Sequence, residues 1–218
     1  PSPMTTQEFI LRISRAGIQL PIILSATILL SGCLAPEKID AEITTDSYAY
    51  TLAVDSILAD PRAVMAAAEG RLSAQDEEGA HRMAANDADM PGFQRFDYVG
   101  EGRFALVVEL TGALDELGVT VGFPNTRSQN PSDNFLRMQR LDDGMVEIST
   151  PEIPARRLED LNRLPFRPSG TVRITPAATD MVIDQNADRS PAFLDRAYVW
   201  NIENWEDRIF IKIDPAGR

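Results

Sequence analysis

Fifteen consecutive uncharged residues, Ala16 to Leu30, lead up to the single cysteine of the chain, Cys33. The run contains one Gln and one Pro, and Arg12 and Arg15 precede it. A membrane-spanning helix needs about 20 apolar residues, so this run is short for a permanent span. The apolar core of a secretory signal peptide is about 7–15 residues long, and the run fits that length. Pro21 would also cost such a span a helical hydrogen bond. The sequence therefore separates into a leader over residues 1–32 and a body that follows it. One cysteine excludes a disulfide framework, a Cys-rich zinc site and, with a single histidine, leaves no Cys/His constellation to build.

Leu30-Ser31-Gly32-Cys33 resembles the bacterial lipobox, the four-residue mark of the lipoprotein family of secreted proteins. The resemblance implies diacylglycerol transfer to the Cys33 sulfur, cleavage between Gly32 and Cys33, and acylation of the new amino terminus. A fatty anchor on Cys33 would contribute about 0.8 kcal/mol per buried CH₂, and two or more chains hold a protein stably on a bilayer. The competing reading is a buried structural cysteine after an ordinary apolar helix. The resemblance also implies a localisation: the cell envelope and, by analogy with the lipoprotein family, where an Asp after the cysteine retains a protein at the inner membrane and Leu34 stands here instead, the outer membrane facing the periplasm in a cell with two membranes. The expected domain plan is a signal peptide over 1–32, a short lipid-anchored tether over 33–39 and a single envelope domain over 40–218.

Residues 33–218 number 186, enough for one domain with a substantial core. The leader carries a net +1 of the formal −12, so the body stands at −13. That charge argues against nucleic acid as a partner. Alternation at Tyr48, Tyr50, Leu52 and Val54 predicts a strand. Asp60-Pro61 caps a helix running to Leu72, and Ser73 with Asp76 caps a second one to about Ala85. Phe93–Val99 and Arg103–Thr111 flank a Gly-Glu-Gly turn as a hairpin, whose second strand is the most apolar of the body and is expected to be central. A helical turn is predicted over 113–117 and a loop over 119–131. A second hairpin brackets Asp142-Asp143-Gly144, and Pro154 and Pro165 bound a helix between them. Strands are predicted at 171–175, 181–184, 197–202 and 208–213. This order predicts an α+β fold: a mostly antiparallel sheet with two or three helices packed on it, in a single domain.

The closing strands are Thr171-Val-Arg-Ile-Thr-Pro, Met181-Val-Ile-Asp-Gln-Asn, Tyr198-Val-Trp-Asn-Ile and Arg208-Ile-Phe-Ile-Lys-Ile. In this order they are similar to the end of the LppM-like lipoprotein domain, over residues 33–60 and 170–213. The resemblance implies an α+β envelope domain that binds lipid or glycolipid, and it carries no catalytic residue across.

Several clusters of charged side chains are candidate sites. Residues 155–173 hold Arg156, Arg157, Arg163, Arg167 and Arg173 against Glu159 and Asp160, a local +3. Guanidinium forks suit phosphate or carboxylate, so these five are candidate contacts for anions or lipid head groups. The plainer reading is a salt-bridged helix face with Glu159 and Arg163 at i, i+4. Asp184, Asn186, Asp188 and Asp195 hold places 1, 3, 5 and 12 of a calcium-type loop, but Arg189 replaces the Gly of the sharp turn, and a solvated turn is the stronger reading. Asp87 with Asp89 is a weaker version of the same pattern. Asp142, Asp143, Glu203, Glu206 and Asp207 are carboxylates of the kind a glycosidase pairs, yet they sit in turn sequences. His81 is expected on a helix surface, Trp200 in the core, and Trp205 exposed.

No catalytic residue, no metal ligand and no cofactor beyond the covalent lipid on Cys33 is expected. The function expected is a non-enzymatic, membrane-anchored lipoprotein that binds lipid, glycolipid or another envelope component. The alternative is an accessory or assembly subunit tethered beside a membrane complex.

Overall fold

The computed structural model describes residues 34–46, 49–90, 92–113, 120–122, 134–193 and 195–215. The expected signal peptide, with Gly32 and Cys33, lies outside the described residues. So does most of the helical turn expected over 113–117 and of the loop expected over 119–131.

In chain order the described elements are β1 (Ala35–Thr45), β2 (Ala49–Ala59), α1 (Pro61–Ala68), α2 (Ala74–Asp87), β3 (Phe93–Gly100), β4 (Arg103–Ala113), β5 (Thr120–Gly122), β6 (Asn134–Arg140), β7 (Val146–Ser149), α3 (Ala155–Asn162), β8 (Ser169–Thr175), β9 (Met181–Gln185), β10 (Tyr198–Ile202) and β11 (Phe210–Asp214). The fold is α+β and mostly antiparallel, as the sequence predicts. Its strands are shared between two sheets, ordered β10-β8-β1-β2-β4-β3 and β5-β6-β7-β11-β9. The pairing of β1 with β8 is parallel.

Residues 35–39, expected as a tether, are instead the first part of β1. Leu34 is only 6% exposed and Ile39 is fully buried. Ala35, Ile39, Ala41, Ile43 and Thr45 face inward, whereas Glu42 and Thr44 face out and Asp40 lies at the margin. Small inward residues and a register shift between Pro36 and Lys38 disguise this alternation. The shift is stabilised by Ser56, whose buried hydroxyl donates to the Lys38 carbonyl at 2.8 Å. Strand β4 is paired on both sides, with β2 and β3, but it lies second from the edge rather than at the centre. The centre is held by β1 and β2.

The main core fills the space between the sheets. Ile39, Ile43, Leu52, Phe104 and Leu106 from one sheet meet Leu136, Met138, Ile148 and Ile211 from the other. Phe104 stacks on Phe96 with centroids 5.4 Å apart. Each such side chain contributes about 1.5–3 kcal/mol by leaving water. Helix α2, opened by the Ser73/Asp76 capping box, adds Ala80 and Ala84 to this core. The two sheets are laced together at one corner. There Arg189 bridges Val199, and the Trp200 Nε1–H donates to Asn186 Oδ1 at 2.8 Å.

A second, smaller core gathers Ala35, Ala59, Val64, Leu161, Phe166 and Trp205 at one end of the sandwich. Two glycines allow the close approaches around it. Gly102 has φ +79, and its carbonyl accepts from the Asp60 N–H at 2.8 Å, tying the β3–β4 turn to α1. Gly170 has φ +136, and a Cβ there would run into the Ile39 carbonyl oxygen.

Candidate functional site

The end of the body that carries the small core is also where the chain enters from Cys33. Ala35 pairs with Ala59 at the last residue of β2. Asp60 then turns the chain into α1, its Oδ1 accepting from the Arg62 and Ala63 N–H groups at 2.8 and 3.2 Å. Helix α3 closes the same end because Leu158 and Leu161 lie on one of its faces and, with Leu164 just past its end, join the small core. Trp205 enters from the turn between β10 and β11, edge-on to Phe166 at 5.9 Å. It is 6% exposed, not exposed as the sequence suggested. Its Nε1–H is buried with no acceptor among the described residues.

Four of the five candidate arginines belong to this end. Arg156 projects from the exposed side of α3. Arg157 is half-buried and is already engaged. Arg163 pairs with Asp160 at 3.2 Å rather than with Glu159, and both partners are mostly exposed. Arg167 folds back over the end of α3. It donates to the carbonyls of Asn162, Leu164 and Phe166 at 3.1–3.3 Å, satisfying acceptors that a helix end leaves open. Arg173 stands apart, on the outward side of β8, where it grips Asp195 through both carboxylate oxygens at 2.9 and 3.1 Å. Asp195 is held below the usual carboxylate range, first by the Ala197 N–H and then by Arg173.

The outer face of the six-stranded sheet carries a feature the sequence reading missed. An open depression of about 410 Å³ is lined by Asp40, Glu42, Asp55 and Glu109, with Thr171 and Arg173 on its margin. Its carboxylates come from three strands, so only strand register brings them together. Lys38 reaches Asp40 at 2.9 Å, and that hydrogen bond raises the lysine pKa. At the corner of this face the 190–195 turn displays Phe193, which is 99% exposed. Ala192 and Asp195 exchange backbone hydrogen bonds at 2.7 and 3.2 Å.

The remaining candidates are turn and helix residues with protein partners. Asp184 Oδ1 accepts from the Gln185 N–H. Asn186 Oδ1 takes the Trp200 indole and the Phe210 N–H, and Asp188 Oδ2 takes the Asn201 N–H. These oxygens point at separate donors rather than at one centre. Among the described residues no group of three or more His, Cys, Asp or Glu side chains is placed to hold a metal ion. Asp143 accepts from the Met145 N–H at 3.0 Å and reaches Lys212 at 3.3 Å, and both lower its pKa. Asp207 accepts from the Glu203 and Asn204 N–H groups at 2.7 and 2.9 Å. The Asp142-Asp143 turn and the 203–207 turn stand at opposite ends of β11, so no carboxyl pair spans a cleft between them. His81 is exposed on α2 and lies edge-on to Tyr98 at 4.8 Å. The Tyr98 hydroxyl accepts from the Gly102 N–H at 3.0 Å, and burial raises its pKa.

Among the described residues no helix is long and apolar enough to cross a membrane. No family model and no curated protein matches the chain.

Proposed function

We propose that this chain is a membrane-anchored envelope lipoprotein, acylated on Cys33, whose α+β body binds lipid, glycolipid or another envelope component without catalysis of its own. The observation that carries the reading is the absence of slack behind Cys33. Leu34 is already buried and β1 begins at Ala35, so a lipid on Cys33 holds the body itself, not a long tether, at the bilayer. The lipobox-like residues and the apolar run before them supply the chemistry of attachment. Asp143 and Asp207, the carboxylates best placed by sequence for hydrolysis, are taken up by turn N–H groups, which supports a binding rather than a hydrolytic role.

A second reading, an accessory subunit of a membrane complex, draws on a different observation. The space between the sheets is filled by side chains such as Phe104, Leu106, Met138 and Ile211, while Phe193, Met181 and Ile183 stand exposed. A packed interior with apolar residues on the outside suits contact with another protein.

Both readings share one test. Cys33→Ala should move the protein from the membrane pellet to the soluble fraction and abolish incorporation of radiolabelled palmitate. Retention of the variant in the pellet overturns the anchor. Mild-detergent purification of the native form, followed by mass spectrometry of copurifying lipids and proteins, separates a ligand-binding body from a subunit.

A further inference from the structure

We infer that the end of the body formed by α3, the 203–207 turn and the start of β1 is its bilayer-contacting surface. Arg156 and Arg163 there meet the phosphates of anionic phospholipids in the membrane that carries the anchor. This rests on the proposed acylation of Cys33, and it adds an orientation and a lipid chemistry to that reading.

The first support is reach. Two residues of extended chain span at most about 7 Å, and Ala35 belongs to the small core with Leu161, Phe166 and Trp205. The anchored residue is therefore confined to the neighbourhood of α3. The second is the state of the arginines. Arg156 is exposed with no ion-pair partner among the described residues. Arg163 has only a solvent-exposed partner, and water leaves such a pair little net worth. Phosphate oxygens offer a guanidinium fork a stronger, charge-assisted contact. The third is the buried Trp205 Nε1–H, which lacks an acceptor among the described residues. Ester and amide carbonyls of an acylated Cys33 would enter at this same end.

Charge elsewhere disfavours the alternatives. Asp40, Glu42, Asp55 and Glu109 make the outer sheet face acidic, and an anionic bilayer repels that face. Glu159, Asp160, Glu203, Glu206 and Asp207 oppose the arginines locally, so the attraction at Arg156 and Arg163 orients a body that the covalent anchor already holds. Strand β1 rises about 3.3 Å per residue, so its 11 residues set the opposite turns roughly 30 Å from this end.

The test uses the acylated full chain in vesicles of phosphatidylethanolamine and phosphatidylglycerol doped with a head-group nitroxide lipid. Acylation consumes the Cys33 thiol, so a second cysteine becomes the single site for a fluorescent label. Labels at Glu159→Cys, on α3, and at Asp142→Cys, on the opposite turn, report the two ends. The expected result is quenching several-fold stronger at 159 than at 142. The contrast should fall at least twofold in R156E/R163E protein that still floats with the vesicles. Equal quenching at the two ends, or a contrast untouched by the charge reversal, overturns the orientation while leaving the anchor standing. Protein that fails to float overturns the anchor, and this inference with it.

Discussion

Trp205 offers a measurement in which two effects of similar size oppose each other. Trp205→Ala removes the largest side chain of the small core and its edge-on contact with Phe166. Truncating a buried aromatic costs about 3–5 kcal/mol. Trp205→Phe behaves differently. It keeps a ring against Phe166 and loses apolar atoms worth about two methylenes, or ~1.6 kcal/mol. It also removes an N–H that is buried with no acceptor among the described residues, and relieving such a group returns about 1–3 kcal/mol. The two terms offset, so the phenylalanine variant should lie within about 1 kcal/mol of the parent. Urea unfolding of both variants in the Cys33→Ala background, which carries no acyl carbonyl, followed by far-ultraviolet circular dichroism, reads both. With a slope of about 2 kcal/mol per molar, the alanine variant should lose ~1.5–2.5 M of midpoint and the phenylalanine variant less than ~0.5 M. A phenylalanine variant as damaged as the alanine variant would falsify the reasoning, because the indole N–H must then have an acceptor.

Gly170→Ala forces an L-residue to φ +136 and drives its Cβ into the Ile39 carbonyl. Such strain costs at least about 1–3 kcal/mol, so thermal unfolding should fall by several degrees, and an unchanged midpoint would contradict the parallel β1–β8 register. The Asp195 carboxyl titrates below its ordinary range because the Ala197 N–H and Arg173 favour its charged form. Its contribution is therefore complete above the ordinary carboxylate range and is lost as pH falls through the lowered value. Amide protection factors at Ala192, Asp195 and Ala197, corrected for the intrinsic pH dependence of exchange, should fall on acidification in that window, and Asp195→Asn should show low protection at every pH. Phe193→Ser should leave the unfolding midpoint within the ~0.5 kcal/mol typical of surface changes, because the side chain is 99% exposed. On the accessory-subunit reading the same variant loses its copurifying partner, and full retention of that partner would remove this residue from the contact.

Elements with strong local signals were legible in the sequence. Asp60-Pro61, the Ser73/Asp76 box, the Gly100-Glu101-Gly102 turn and the Asp143-Gly144 turn all stand where side-chain chemistry placed them. Strand β1 was hidden because alanines and a threonine take several of its inward places, and because a register shift breaks the alternation. The short strand β5 fell in a stretch read as loop, being held by its pairing with β6 rather than by its own residues. The division into two sheets depends on which strands pair across long separations, and no local pattern records that. The same limit separated the arginines: four follow α3 and its exit, whereas Arg173, close to them in sequence, is carried by β8 to the outer face. The acidic depression was equally out of reach, since β1, β2 and β4 each bring only one or two of its carboxylates.

The parallel pairing of β1 with β8 sets a timetable for maturation. Lys38 must wait for Ser169 before that edge of β1 is closed, and a chain that emerges amino terminus first delivers β8 late. Contacts so distant in sequence form slowly. Leu34, buried in the folded body, is accessible while β1 remains unpacked. On the proposed anchor, the enzymes that acylate and cleave at Cys33 therefore work during that interval, and a variant that hastened closure of this edge would compete with its own processing.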